Sequence, residues 1–196
     1  MYPLDSQNKF RRLRQNSNEH SHLEDKSESE LIAYQKLMQN LHDQVSWTRR
    51  QLNYIAFNLE YRVEYELRRG EVYEFDWGLN VHAELSQRHY GVVLLDSYAN
   101  NDIVVVVPLK TRHHEPNPMS DVNIGKLHNV TEDKETLAVI NQIRGLDKLR
   151  IYQKGLIKDG SLNKDRGPIT ILNEKQMDKI VAGINQLLIE GRTVIQ

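Results

Sequence analysis

The chain has 196 residues, 39% of them hydrophobic and 27% charged, enough for one modest core plus an appendage. Lys and Arg (26) nearly balance Asp and Glu (27), so the formal charge of −1 excludes an overall basic, histone-like nucleic-acid binder while leaving room for a local basic groove. Cysteine is absent, which excludes disulfide frameworks, thiolate zinc sites and a Cys nucleophile.

Residues 1–27 are rich in Ser, Asn, Gln and charge, with only scattered Leu4, Phe10, Leu13 and Leu23. Such a segment cannot bury enough apolar area to offset its ordering entropy, and a disordered or weakly docked tail is expected. It lacks the apolar stretch of a secretory signal, and the longest apolar run, Ile103 to Val107, is too short to cross a bilayer. A cytoplasmic chain without a membrane partner is the expectation.

Residues 28–67 contain no Gly before position 70 and no Pro, and bulky residues recur in alternating steps of three and four: Leu31, Tyr34, Met38, Leu41, Val45, Thr48, Leu52, Ile55, Leu59. This is a heptad pattern, with Ser27 or Ser29 available as cap, and it predicts a long amphipathic helix of roughly 60 Å. Two readings of its stripe stay open. It is a coiled-coil seam for a second chain, or it packs on its own domain, with Leu37 and Ala56 broadening it.

From Arg69 the period changes to two, and residues 68–196 read as one barrel domain. The segments 71–77, 90–95, 103–109, 121–124 and 137–143 have strand length and β-branched or aromatic content; 155–157 and 168–171 are shorter candidates. Asn173 and Gln176 form a capping-box pattern before Met177, Ile180, Val181, Ile184, Leu187 and Leu188, which keep helical spacing up to Gly191. The prediction is a mainly β fold, a small barrel with a C-terminal helix.

Eight histidines are present, but without a His-Glu-x-x-His or similar ligand set, so no metal is expected. What stands out is polar residues at strand ends: Arg88 before one strand, Lys110-Thr111 after another, and Gln142 and Arg144 within a third. Rigid strands can hold such groups in register.

Arg69-Gly70-Glu71-Val72-Tyr73, Asp76-Trp77-Gly78, Ala83-Glu84-Leu85 and Arg88 before Val92-Val93-Leu94 resemble the opening of MazF/PemK toxins. The strand ending Pro108-Leu109-Lys110-Thr111 and the run Gln142-Ile143-Arg144-Gly145-Leu146-Asp147-Lys148-Leu149-Arg150 are similar to later family motifs, in matching order over about residues 69–190. The resemblance implies a dimeric SH3-like barrel of the MazF/PemK/CcdB type. It also implies a toxin with a cognate antitoxin partner, cutting single-stranded RNA without metal or cofactor. Arg88 matches the family's catalytic arginine and Thr111 its catalytic Thr/Ser. Gln142 matches the glutamine of the RNA groove and Glu84 lies in the loop before the arginine, with Lys110 and Arg144 as further RNA-binding candidates.

Arginine stays protonated in water, so a histidine is the more natural proton carrier. His113 lies two residues from Thr111 and shares its face in a strand; His82 is the second candidate, whereas His89 is expected to point away from Arg88. His89, Tyr90 and Gly91 follow the arginine where the family usually has a proline next, which bears on groove shape and sequence preference. The alternative reading is a non-catalytic nucleic-acid- or protein-binding module on the same barrel, such as a gyrase-poison-like toxin. The family's usual members lack the first 67 residues; three roles are open for the added helix: dimer reinforcement, antitoxin docking, or masking of the RNA groove.

Overall fold

The computed structural model describes residues 28–60, 65–80, 84–130, 133–152 and 167–191, and the chain divides into two compact units, Met1–Ser46 and Trp47–Gln196. The expected tail 1–27, the cap Ser27, the candidate strand 155–157 and His82 lie outside the described residues.

Helix α1 (Glu28–Glu60) covers the heptad stretch but ends before residue 67. Leu67 instead exchanges backbone hydrogen bonds with Ser97 and is buried in the sheet core. Burying that side chain stabilises more than one further turn of solvated helix. The apolar stripe of α1 is uncovered, with Leu31, Tyr34, Met38, Leu41, Val45, Leu52 and Ile55 between 46% and 64% exposed. Within the second unit the helix does lie on its own domain, but through another face, that of Trp47, Arg50 and Tyr54.

The sheet is antiparallel. Its strands are β1 (Glu71–Asp76), β2 (Arg88–Val93), β3 (Ile103–Thr111), β4 (Asp121–Lys126), β5 (Glu135–Val139), β6 (Arg144–Asp147) and β7 (Thr170–Ile171). They run in the order β4-β5-β3-β2-β1-β7, with β6 also paired to β3. Both faces are covered, which is why several strands read as continuous apolar runs. On one face Val72, Val92, Val107 and Leu109 meet Met177 and Ile180 of helix α2 (Glu174–Ile184). On the other, Tyr73, Phe75 and Trp77 pack with Val93, Val104 and Val106, the rings of Phe75 and Trp77 meeting edge to face at 6.1 Å. The Asn173–Gln176 capping box opens α2 as the spacing predicts.

The stretch 137–143, expected as one strand, is instead the end of β5, a tight turn at Ile140–Gln142 and the approach to β6. The reason lies in β3, which is long enough to pair with two strands along one edge. Ile103 to Val106 pair with β6 and Leu109 to Thr111 with β5, so the chain must step sideways between them. A bridge from Phe75 to Ile151, just past β6, brings the sheet back to β1 and curls it into a half-barrel. Lys148 is fully buried and its ammonium donates to the carbonyls of Tyr65 (2.9 Å), Tyr98 (2.7 Å) and Ser97 (3.4 Å), clipping three segments together. Burial lowers its pKa. No described helix is long and apolar enough to cross a membrane.

Candidate active site

Strands β2 and β3 pair only through Gly91↔Pro108, Val92↔Val107 and Val93↔Val106. Past that point β2 continues along β1, while β3 turns to β5. The two strands therefore fork. Sequence explains the fork. Leu94 N–H donates to Val105 O (2.9 Å), and ladder alternation then turns the nitrogen of Pro108 to the opposite edge, where β6 has ended and β5 begins. A proline is tolerated there because no ladder bond is lost. Its partner Gly91 leaves room for Phe75 and Trp77, whose atoms would lie 3.0 and 3.2 Å from a Cβ.

A groove of about 380 Å³ opens in the fork, walled by residues 88–90 of β2, 109–111 of β3, and Glu74, His113, Val130 and Thr136. Cross-strand register puts Asp76 opposite Arg88, Glu74 opposite Tyr90, Val72 opposite Val92, and Val92 opposite Val107. Period two then places Arg88 and Thr111 on the same face, one on each side of the fork. Of the sequence-predicted site residues, Arg88, Lys110, Thr111 and His113 wall this groove; Glu84, Gln142 and Arg144 do not.

Arg88 is exposed, and its guanidinium lies 3.7 Å from the centroid of the Tyr152 ring. Among the described residues no carboxylate pairs with it. The natural candidate, its neighbour Asp76, is already engaged: Oδ2 accepts from Arg50 Nε (2.7 Å) and from the Tyr54 hydroxyl (3.1 Å), and Oδ1 accepts from Gly78 N–H (3.1 Å). Burial, then the Asp76 charge, pushes the Tyr54 hydroxyl far above its ordinary value, so it remains a donor. Lys110, by contrast, spends its charge on the buried Asp121 carboxylate at 2.9 Å.

Gln142 and Arg144 hold the neighbouring loop. Gln142 Oε1 accepts from Leu85 N–H (2.7 Å), which ties down the segment carrying Glu84. Arg144 Nη2 donates to Trp77 O (2.7 Å) with its guanidinium 5.2 Å from the Trp77 ring; burial, then the nearby Arg150, lowers its pKa.

His113 Nδ1 is 3.5 Å from Lys134 Nζ at the groove mouth. His89 pairs with Phe75 and belongs to the face opposite Arg88, as expected, yet it walls the groove, because a fork opens both faces of its strands. Burial lowers its pKa and so favours the uncharged imidazole, opposed by a hydrogen bond to the Ser86 backbone and by Glu74. No motif or strand-end position in the sequence marks Glu74, Arg50, Tyr54 or Tyr152. The 3-4 spacing of Trp47, Arg50 and Tyr54, off the heptad stripe, is the signal that marks a second face of α1. Among the described residues no His, Asp and Glu group is placed to hold a metal.

The sequence profile of PemK-like, MazF-like toxins of type II toxin–antitoxin systems matches residues 68–188. Among solved structures, the chain is similar to MazF (Form-I) from Deinococcus radiodurans, at 15% identity and a TM-score of 0.44, over 63% of this chain and 97% of that one. No curated protein sequence matches. The profile takes in every strand described above, the fork with Arg88 and Thr111, and α2, and leaves out α1; over that span, the chain belongs to the PemK-like, MazF-like toxin family of type II toxin–antitoxin systems.

Proposed function

We propose that the chain is a metal-independent endoribonuclease that cuts single-stranded RNA in the cytoplasm and is held in check by a cognate antitoxin. One observation carries this reading: Arg88 and Thr111 stand on the same face at the two sides of one open groove. In such a groove the ribose 2′-OH attacks the adjacent phosphorus, the bond to the 5′-oxygen breaks, and a 2′,3′-cyclic phosphate and a 5′-OH end result. Charge builds on the phosphoryl oxygens, where a guanidinium fork and a hydroxyl donor stabilise it. The His89 imidazole accepts the 2′-OH proton, with the Glu74 carboxylate beside it in the groove wall, and His113 donates a proton to the departing 5′-oxygen. The uncovered heptad stripe of α1 supports a homodimer closed through this seam.

The test is RNA mapping in excess EDTA. The full chain is expected to make discrete cuts, and Arg88→Ala or Thr111→Ala to slow them by about 10²–10³. Intact RNA that is nonetheless tightly bound would instead mark a binding module.

A further inference from the structure

A second cavity, of about 230 Å³, lies beside the fork groove and shares Arg88 with it. Helix α1 supplies one wall with Arg50, Asn53 and Tyr54, and the segment after β6 supplies Leu149, Ile151 and Tyr152. Resting on the nuclease reading, we propose that this cavity is a subsite for one unpaired nucleoside next to the scissile phosphate, so that α1 builds part of the RNA-binding surface.

Size, chemistry and position each favour that occupant. The cavity is smaller than the roughly 300–1,000 Å³ of a small-molecule pocket and matches a single base. Its walls set the Tyr54 and Tyr152 rings beside the Arg50 and Arg88 guanidiniums, that of Arg88 lying 3.7 Å from the Tyr152 centroid. Unstacked bases lie on such rings and guanidinium planes, and phosphates follow the charge. Asp76, the one carboxylate among the described wall residues, is neutralised by Arg50 and does not repel a phosphate. The exposed Asn53 amide offers both a donor and an acceptor to a base edge. Because Arg88 walls both cavities, a strand whose phosphate sits at the fork delivers its neighbouring nucleoside here.

The full chain should be photocrosslinked to single-stranded RNA carrying 4-thiouridine, and the attachment sites mapped by mass spectrometry. Asn53→Ala, which removes the edge contact, and Asn53→Trp, which fills the cavity, are assayed on the same RNA. Expected are crosslinks on Tyr54, Tyr152 or their flanking peptides, a KM raised about tenfold in Asn53→Trp, and an altered nucleotide preference beside the cut in Asn53→Ala. Crosslinks confined to other surfaces, with KM and cutting pattern unchanged in both variants, would overturn the subsite. RNA left intact by the unaltered chain, with crosslinks still in this cavity, would retire the nuclease reading and keep the subsite.

Discussion

The barrel and the helix α1 handle their apolar residues in opposite ways. The sheet buries Val72, Phe75, Val92, Val107 and their neighbours almost completely, on both faces. The helix leaves its apolar stripe in solvent, and another face fastens it to the barrel, with Arg50 and Tyr54 on the buried Asp76, the Tyr54 ring on Leu149 and the Trp47 ring against Gly78. A core so built tolerates little change, whereas a helix so built has one face committed to its own domain and one left exposed.

Charges placed in the seam should break that comparison most sharply. Val45→Glu with Leu52→Glu is expected to weaken self-association by more than about a hundredfold while leaving the barrel folded, read by sedimentation equilibrium. Unchanged mass would show that the stripe does not join two copies of this chain.

Arg50→Met tests the polar side. Without its partner the buried Asp76 carboxylate turns to the neighbouring guanidinium of Arg88, and cutting is expected to fall about tenfold, with roughly 1–3 kcal/mol lost from stability. If α1 masked the groove, the same variant would cut faster. Gly78 has φ +84°, and a Cβ there would lie 2.7 Å from Trp47. Gly78→Ala should therefore cost about 1–2 kcal/mol in thermal or urea unfolding, with Trp47 displaced.

The smallest effect concerns His89. Its pKa is lowered in the folded chain, so as pH falls the unfolded chain takes up the proton first. Stability is full above the ordinary imidazole value of 6.5, declines as pH drops through it, and levels off below the folded value. His89→Gln should flatten this dependence below about pH 7, read by urea titration at a series of pH values.

Local pattern made much of this legible. Strand β1, with Val72 on one core and Tyr73, Phe75 and Trp77 on the other, follows from period two, and the α2 cap from Asn173 and Gln176. Arg88 and Thr111 stand out by their places at strand ends and by family motif. The break at Ile140–Gln142 was not legible, because it is dictated by how β3 shares its edge between β5 and β6. Nor was the pairing of Arg50 with Asp76, 26 residues apart, since the heptad stripe draws attention to the wrong side of α1. Lys110 looked available for RNA because its partner Asp121 is a long-range contact that spacing alone does not reveal.

The account rests on Arg88 acting at a phosphodiester, and end-group analysis tests that most directly. The full chain and its Arg88→Ala variant are each incubated with a long single-stranded RNA in EDTA, and the new termini identified. The account predicts 2′,3′-cyclic phosphate and 5′-OH ends at discrete positions, made by the full chain and nearly absent with the variant. Equal cutting by both, or 5′-phosphate ends, would contradict it.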